Sequence, residues 1–159
     1  MPELPEVETV RRGLLGLVGK RVLSIEINRP DLRFPFPDDM DLVAGRKITA
    51  IDRRAKYLLI RLEGDLTWLA HLGMTGRFGQ SLEGKHDHVV VDFVDGSRLV
   101  YTDPRRFGIM DIIHGNDQHK LLDHLGPEPL GPNWSGASLH QALAGRNVSI
   151  KTALLDQKI

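Results

Sequence analysis

Between residues 22 and 113 the sequence is a succession of short β-type runs, and this pattern limits the fold more than any other feature. VLSIEI (22–27) and KITAID (47–52) alternate apolar and polar residues, and KYLLIRL (56–62) is a longer β run. TWLAHL (67–72), HVVVDFV (88–94), RLVYT (98–102) and FGIMDII (107–113) follow. Glu63-Gly64-Asp65 and Asp95-Gly96-Ser97 have the composition of hairpin turns. Many short strands closed by tight turns argue for an antiparallel sandwich or barrel and against a parallel sheet.

The two ends read differently. The opening, MPELPEVETVRR, has Pro5 suited to a first helical position, where its missing N–H costs nothing. Glu6 and Glu8 then lie at the positive end of the helix dipole, and Arg11 and Arg12 nearer its negative end. Val7, Val10, Leu14 and Leu17 form one apolar stripe, so a helix is expected over about residues 5–18. DLRFPFPDDM (31–40) reads as a loop, and GPEPLGPNW (126–134), with three prolines, as a boundary. Beyond it ASLHQAL (137–143) is helical, and SIKTALLDQ (149–157) begins a second helix with Ser149 as its cap. The chain stops in that helix, so the tail is expected to be the opening of a domain cut short. A length of 159 residues accommodates one full domain and such a fragment.

Composition removes several function classes. A hydrophobic share of 41% is that of a globular core. No apolar run is long enough to span a bilayer, and charge at Glu3 with no apolar stretch behind it does not make a signal peptide. The absence of cysteine excludes disulfides and thiolate metal sites and fits a reducing cytoplasm. Lys plus Arg equal Asp plus Glu at 21 each, so binding to nucleic acid must come from local clusters.

Met1, Pro2 and Glu3 are not explained by a helix start. Proline in second place permits removal of the initiator methionine, which exposes a secondary amine. An α-amino group has a pKa of roughly 7.7–8.0, so a useful fraction is neutral near pH 7. Attack by such an amine on a sugar carbon yields an iminium with no N–H to lose, an electron sink for elimination. Glu3 stands beside it to move protons. RRAKYLLI (53–60) offers Arg53, Arg54 and Lys56 at the start of an apolar strand, either guarding an edge or putting Lys56 in a cleft. HLGMTG (71–76) holds Met74 between glycines at a loop tip, either folded onto the core or serving as a wedge between bases. TDPRRFG (102–108) adds a second candidate wedge, Phe107, next to two arginines. A donor-only guanidinium matches a base edge with adjacent acceptors, which cytosine presents and adenine does not. In KHDH (85–88), His86 and His88 project from one side of a strand. With no cysteine and no third histidine nearby, contact with phosphate suits Lys85 and His86 better than a metal. His114, His119, His124 and His140 have no recognisable spacing.

Taken together, PELPEVET, RRAKYLL, HLGMTG, KHDH, YTDPRRFG and HLGPEPL closely resemble bacterial formamidopyrimidine-DNA glycosylase, in order and spacing, over essentially the whole chain. The resemblance implies a mainly β fold: a two-layer antiparallel β-sandwich with an N-terminal helix (1–130), then the first helices of a helix–two-turn–helix domain (131–159). It implies a bacterial, cytoplasmic, nucleoid-associated monomer acting in base-excision repair. Such an enzyme excises oxidised purines such as 8-oxoguanine and formamidopyrimidines from double-stranded DNA, with the lesion opposite cytosine, and cleaves the abasic strand by β,δ-elimination. By the same resemblance Pro2 is the Schiff-base nucleophile, Glu3 the acidic proton donor and Glu6 a further active-site carboxylate. Lys56 is the proton donor in β-elimination. His86, Arg105 and Lys151 match DNA-contacting positions, with Arg106 and His71 close to the backbone and Arg146 at a basic phosphate contact. Met74, Arg105 and Phe107 match the three residues that fill the gap behind a flipped base. That set looks more like the purine-specific branch than like endonuclease VIII, which shares the Pro-Glu start. Relatives continue into a four-cysteine zinc finger, so no cofactor is expected in this chain. The alternative is a non-catalytic remnant that binds DNA weakly.

Overall fold

The amino-terminal helix is shorter than its apolar stripe suggests. In the computed structural model, which describes residues 2–159, α1 spans Leu4–Gly13 and the chain then tightens into a 3₁₀ turn over Leu15–Leu17. Gly13 and Gly16 lower helix propensity here. The Leu14 N–H is shared between the carbonyls of Val10 (3.0 Å) and Arg11 (3.1 Å), the start of the tighter winding. Val7, Leu14 and Leu17 all remain buried, so the stripe survives although the helix does not.

Among the described residues eight strands follow: β1 (Val22–Ile27), β2 (Ile48–Arg54), β3 (Tyr57–Leu62), β4 (Leu66–His71), β5 (Arg77–Gly79), β6 (Asp87–Phe93), β7 (Arg98–Thr102) and β8 (Ile109–His114). They form two four-stranded sheets, ordered β1-β6-β7-β5 and β2-β3-β4-β8, with every pairing antiparallel. The sandwich expected from the pattern of runs is therefore present. Leu58, Ile60 and Leu62 on β3, Trp68 and Ala70 on β4, and Val89, Val91 and Phe93 on β6 all enter one buried cluster. Their spacing of two is the pleat itself, which sends alternate side chains to one face. The Phe78 ring lies edge-on to Trp68, at 6.1 Å between centroids, and also meets Tyr101 at 5.2 Å.

Three departures from expectation have local causes. β5 carries only three residues, too few for an alternation to register. The stretch expected as a loop over 31–40 ends in a 3₁₀ segment, Asp38–Val43, whose Met40 and Val43 are buried. Arg53 and Arg54 close β2, and Lys56 occupies the two-residue turn before β3, where Ala55 takes a φ of 51°.

Chain contacts define a first unit ending at Asp117 and a second over Gln118–Ile159. The second carries α2 (Gly136–Leu143), capped by the Ser135 hydroxyl accepting from the Ser138 N–H, and α3 (Ile150–Leu154). Ser149 caps α3 as expected, its hydroxyl accepting from Thr152 N–H at 3.2 Å, but the helix ends well short of residue 157. Among the described residues no helix is long and apolar enough to cross a membrane.

Candidate active site

Glu8 of α1 is the anchor of the site's first half. Its carboxylate receives the guanidinium of Arg11 (2.7 Å), of Arg12 (3.0 Å) and of Arg53 (3.0 Å) at the end of β2. The Arg11 guanidinium, working against partial burial and helped by Arg53 and Arg12, holds that carboxyl far below the usual carboxylate range. Arg53 in turn donates to the Ala55 carbonyl at 2.9 Å, so helix and hairpin tip are tied through one carboxylate. The tie aims Lys56 at the chain terminus: its ammonium lies 3.3 Å from Glu3 Oε2. Pro2 is half-buried beside them, and the Glu6 carboxylate accepts from the Glu3 backbone N–H at 3.0 Å. The expected removal of Met1 concerns a residue outside those described.

Next to Lys56, Tyr57 pairs across the sheet with His71, their rings 4.8 Å apart. Burial, with the charges of Lys56 and Arg33 adding to it, lowers the His71 pKa to about 4. His71 Nδ1 accepts from the Gly73 N–H at 3.0 Å, so the proton of the neutral ring sits on Nε2, free to donate. A folded pKa of about 4 against roughly 6.5 when unfolded means the unfolded chain binds the extra proton first. This contribution to stability is complete above pH 6.5 and is lost as pH falls towards 4. His71→Asn keeps an acceptor for Gly73 and does not titrate. Its urea midpoint should therefore fall less than the wild type's across that window, and equal slopes would refute the assignment.

The second half of the site is built by two loops pressed together. Gly73 adopts a φ of +61°, and a Cβ there would lie 2.4 Å from the Phe107 carbonyl carbon and 2.6 Å from the Gly108 nitrogen. Met74, on one loop, is 39% exposed, and Phe107, on the other, 41%. The Arg105 guanidinium stands 5.1 Å from the Phe107 ring centroid, a cation–π distance. Arg106, at a φ of 58°, points to Asp31 at 3.6 Å. Arg33, not singled out from sequence, donates its backbone N–H to Gly108 at 3.3 Å and bears on His71 electrostatically.

The organiser of this half is Asp103, which sequence reading passed over as part of a proline turn. It is fully buried, and Tyr101, Thr75, Arg106 and Gly108 all donate to its carboxylate. Burial, with the neighbouring Asp103 charge, pushes the Tyr101 phenol far above its ordinary range. His88 is buried, and its Nε2 donates to the Asp103 carbonyl at 2.7 Å, while the half-buried His86 ring lies 6.3 Å from it. Asp87 fixes the preceding turn: burial raises its pKa, but the N–H groups of Gly84 and Glu83 outweigh that and hold it low. Among the described residues no group of three or more His, Asp or Glu side chains is arranged to hold a metal ion. Arg146 and Lys151 belong to the second unit. Arg146 is paired with Asp156 at 3.0 Å, and Lys151 is exposed on α3.

The antiparallel sandwich thus brings Glu3 and Lys56 together near the chain terminus and sets two apolar tips beside Arg105 on neighbouring loops. The chain belongs to the formamidopyrimidine-DNA glycosylase family: residues 1–110 match the model of the family's N-terminal domain. It is 49% identical to the formamidopyrimidine-DNA glycosylase of Methylocella silvestris, over all of this chain and 61% of that protein. The enzyme of Ruegeria pomeroyi is also 49% identical, with 62% of its length covered. The chain thus spans somewhat over three-fifths of these relatives. Among solved structures, MutM (Fpg) of Thermus thermophilus superposes with a TM-score of 0.86 at 37% identity, covering 99% of this chain and 58% of that one. Lactococcus lactis Fpg in complex with DNA containing an abasic site gives 0.87 at 34% identity, covering 99% and 61%.

Proposed function

We propose that this chain is the lesion-processing part of a DNA glycosylase of base-excision repair, with an associated abasic-site lyase activity. The observation that carries the reading is the contact of Lys56 with Glu3 beside Pro2. A nucleophilic amine, a carboxylate and an ammonium within reach of one another are the groups that imine formation and elimination need. The Pro2 nitrogen bonds to the sugar C1′ as the C1′–base bond breaks, and the departing base takes a proton. Glu3 protonates the ring oxygen as the sugar opens, leaving a cationic iminium. Loss of a C2′ proton then expels the 3′ phosphate in β-elimination, with Lys56 carrying the proton traffic. His71, neutral with its Nε2–H free, suits a phosphate oxygen, and Arg33 adds positive charge nearby.

Met74, Phe107 and Arg105 form the group that would fill the space left by an extruded purine, with Arg105 on the orphaned base. Cytosine's two adjacent acceptors match the guanidinium, which supports oxidised purines opposite cytosine as substrate. Borohydride trapping of the chain on an 8-oxoguanine:cytosine duplex tests the reading, and an adduct is expected. No adduct at low salt and high concentration would leave the chain a DNA-binding fold without this chemistry. In a full-length relative context, Arg105→Ala should cut the preference for lesions opposite cytosine by about 1–3 kcal/mol, the discrimination of a good base contact. An unchanged ratio with only a lower rate would show that the arginine merely occupies space.

A further inference from the structure

We propose that Thr75 and Asp103 are positioning residues: together they latch the two tip loops and hold the Arg105 backbone where its side chain can read the opposite base. The inference rests on the reading of Arg105 given above.

The geometry is a closed chain of hydrogen bonds. The Thr75 hydroxyl donates to Asp103 Oδ1 at 2.7 Å and accepts from the Arg105 N–H at 3.1 Å. One hydroxyl therefore joins the Met74 loop to the Arg105 backbone, using both its donor and an acceptor site. Asp103 Oδ1 also accepts from the Arg106 N–H at 3.0 Å, and Oδ2 from the Gly108 N–H and the Tyr101 hydroxyl, both at 2.9 Å. The Asp103 backbone is fixed as well, its N–H donating to His86 at 3.0 Å and its carbonyl accepting from His88 at 2.7 Å. The loop residues that expose Arg105 and Phe107 are thus held by a carboxylate with two donors on each oxygen.

That arrangement accounts for the acid rather than an amide at 103. Each carboxylate oxygen faces one backbone N–H and one hydroxyl. An asparagine would turn an NH₂ toward one of the two backbone donors. A hydroxyl can rotate to accept, whereas a backbone N–H cannot, so the loop must give on one side. Arg106, already at a left-handed φ of 58°, is the strained residue that this network holds in place.

The test compares Thr75→Val, which keeps shape but loses the hydroxyl, with Thr75→Ser, which keeps it. Thr75→Ala serves where the valine fails to fold, and Tyr101→Phe removes an Asp103 contact that does not touch Arg105. Two readouts are taken. One is amide exchange at Arg105 in the DNA-free chain. The other is the ratio of dissociation constants for duplexes carrying a tetrahydrofuran abasic analogue opposite cytosine or adenine. Losing the Thr75 hydroxyl should speed Arg105 exchange about tenfold and pull the cytosine preference down about three- to tenfold, the range for one hydrogen bond. Thr75→Ser should match the wild type, and Tyr101→Phe should lower stability without moving the ratio. Adding Thr75→Val to Arg105→Ala should change the ratio no further. Unchanged Arg105 exchange in Thr75→Val overturns the latch whatever DNA does. Faster exchange with a wild-type ratio overturns its role in base choice. A wild type that traps abasic DNA yet shows no cytosine preference overturns that role as well. Absence of both trapping and preference in the wild type fails the broader reading of function, while exchange still decides the latch.

Discussion

A chain that begins at Pro2 is expected to give a borohydride-trapped adduct with an abasic duplex, and one carrying a single additional residue before Pro2 is expected to give none. The added residue turns the proline nitrogen into an amide, whose lone pair is committed to resonance and cannot attack. Pro2→Gly restores an amine, but a primary one, whose imine can lose its proton and whose φ is no longer held by a ring. Its adduct yield is expected to lie between the two. Lys56→Gln, which removes the ammonium 3.3 Å from Glu3, should leave trapping detectable while lowering strand cleavage on the order of 10²-fold, the scale of a lost proton-transfer group. Mass spectrometry identifies the adducted residue, and an adduct of undiminished yield with the extended chain would place the nucleophile elsewhere.

Gly73→Ala is expected to be strongly destabilising. The new Cβ would meet backbone atoms, the Phe107 carbonyl carbon and oxygen and the Gly108 nitrogen, at 2.4 to 2.6 Å. No side chain can rotate away to relieve that approach, so the two loops must part. Overpacking of this kind costs about 1–3 kcal/mol. A left-handed φ imposed on alanine adds roughly another 1 kcal/mol. A fall in stability of about 2–4 kcal/mol by urea titration is therefore expected. The parting should also separate Met74 from Phe107 and lose the discrimination between opposite bases. Gly79→Ala is the control: no atom lies within 4 Å of its Cβ, and its change should stay within about 0.5 kcal/mol. Equal effects from the two substitutions would remove the close approach as the cause.

Much of the architecture follows from local pattern. β7 has the bounds its sequence predicts, because Asp95-Gly96-Ser97 ends the strand before it and Thr102 precedes a proline turn. The alternation at the end of VLSIEI, where Ile25 and Ile27 pack against the core, is the pleat's own period, so strand and inward face are read at once. The amino-terminal helix was legible in existence but not in length, since an apolar stripe continues through a 3₁₀ turn when Leu14 and Leu17 still reach the core. β5 was invisible: three residues carry no period, and only pairing with β7 makes Arg77–Gly79 a strand.

The sequence alone determined the antiparallel, two-ended organisation and the residue types that chemistry at the chain terminus requires, because periodicity, turn composition and amine chemistry are local properties. It also marked Met74 and Phe107 by their unusual loop settings, and the family resemblance singled out Arg105 from the two arginines beside them. Tertiary structure decided which of these meet. Glu3 and Lys56 are 53 positions apart and touch because Arg53 bridges the hairpin to Glu8 on α1. Thr75 and Asp103 are 28 apart, and nothing near either residue announces the bond between them. An ordinary aspartate in a proline turn became the organiser of the second half-site only once the sheets closed around it. A buried carboxylate must find donors wherever the fold supplies them, and here two backbone N–H groups and two hydroxyls converge on it.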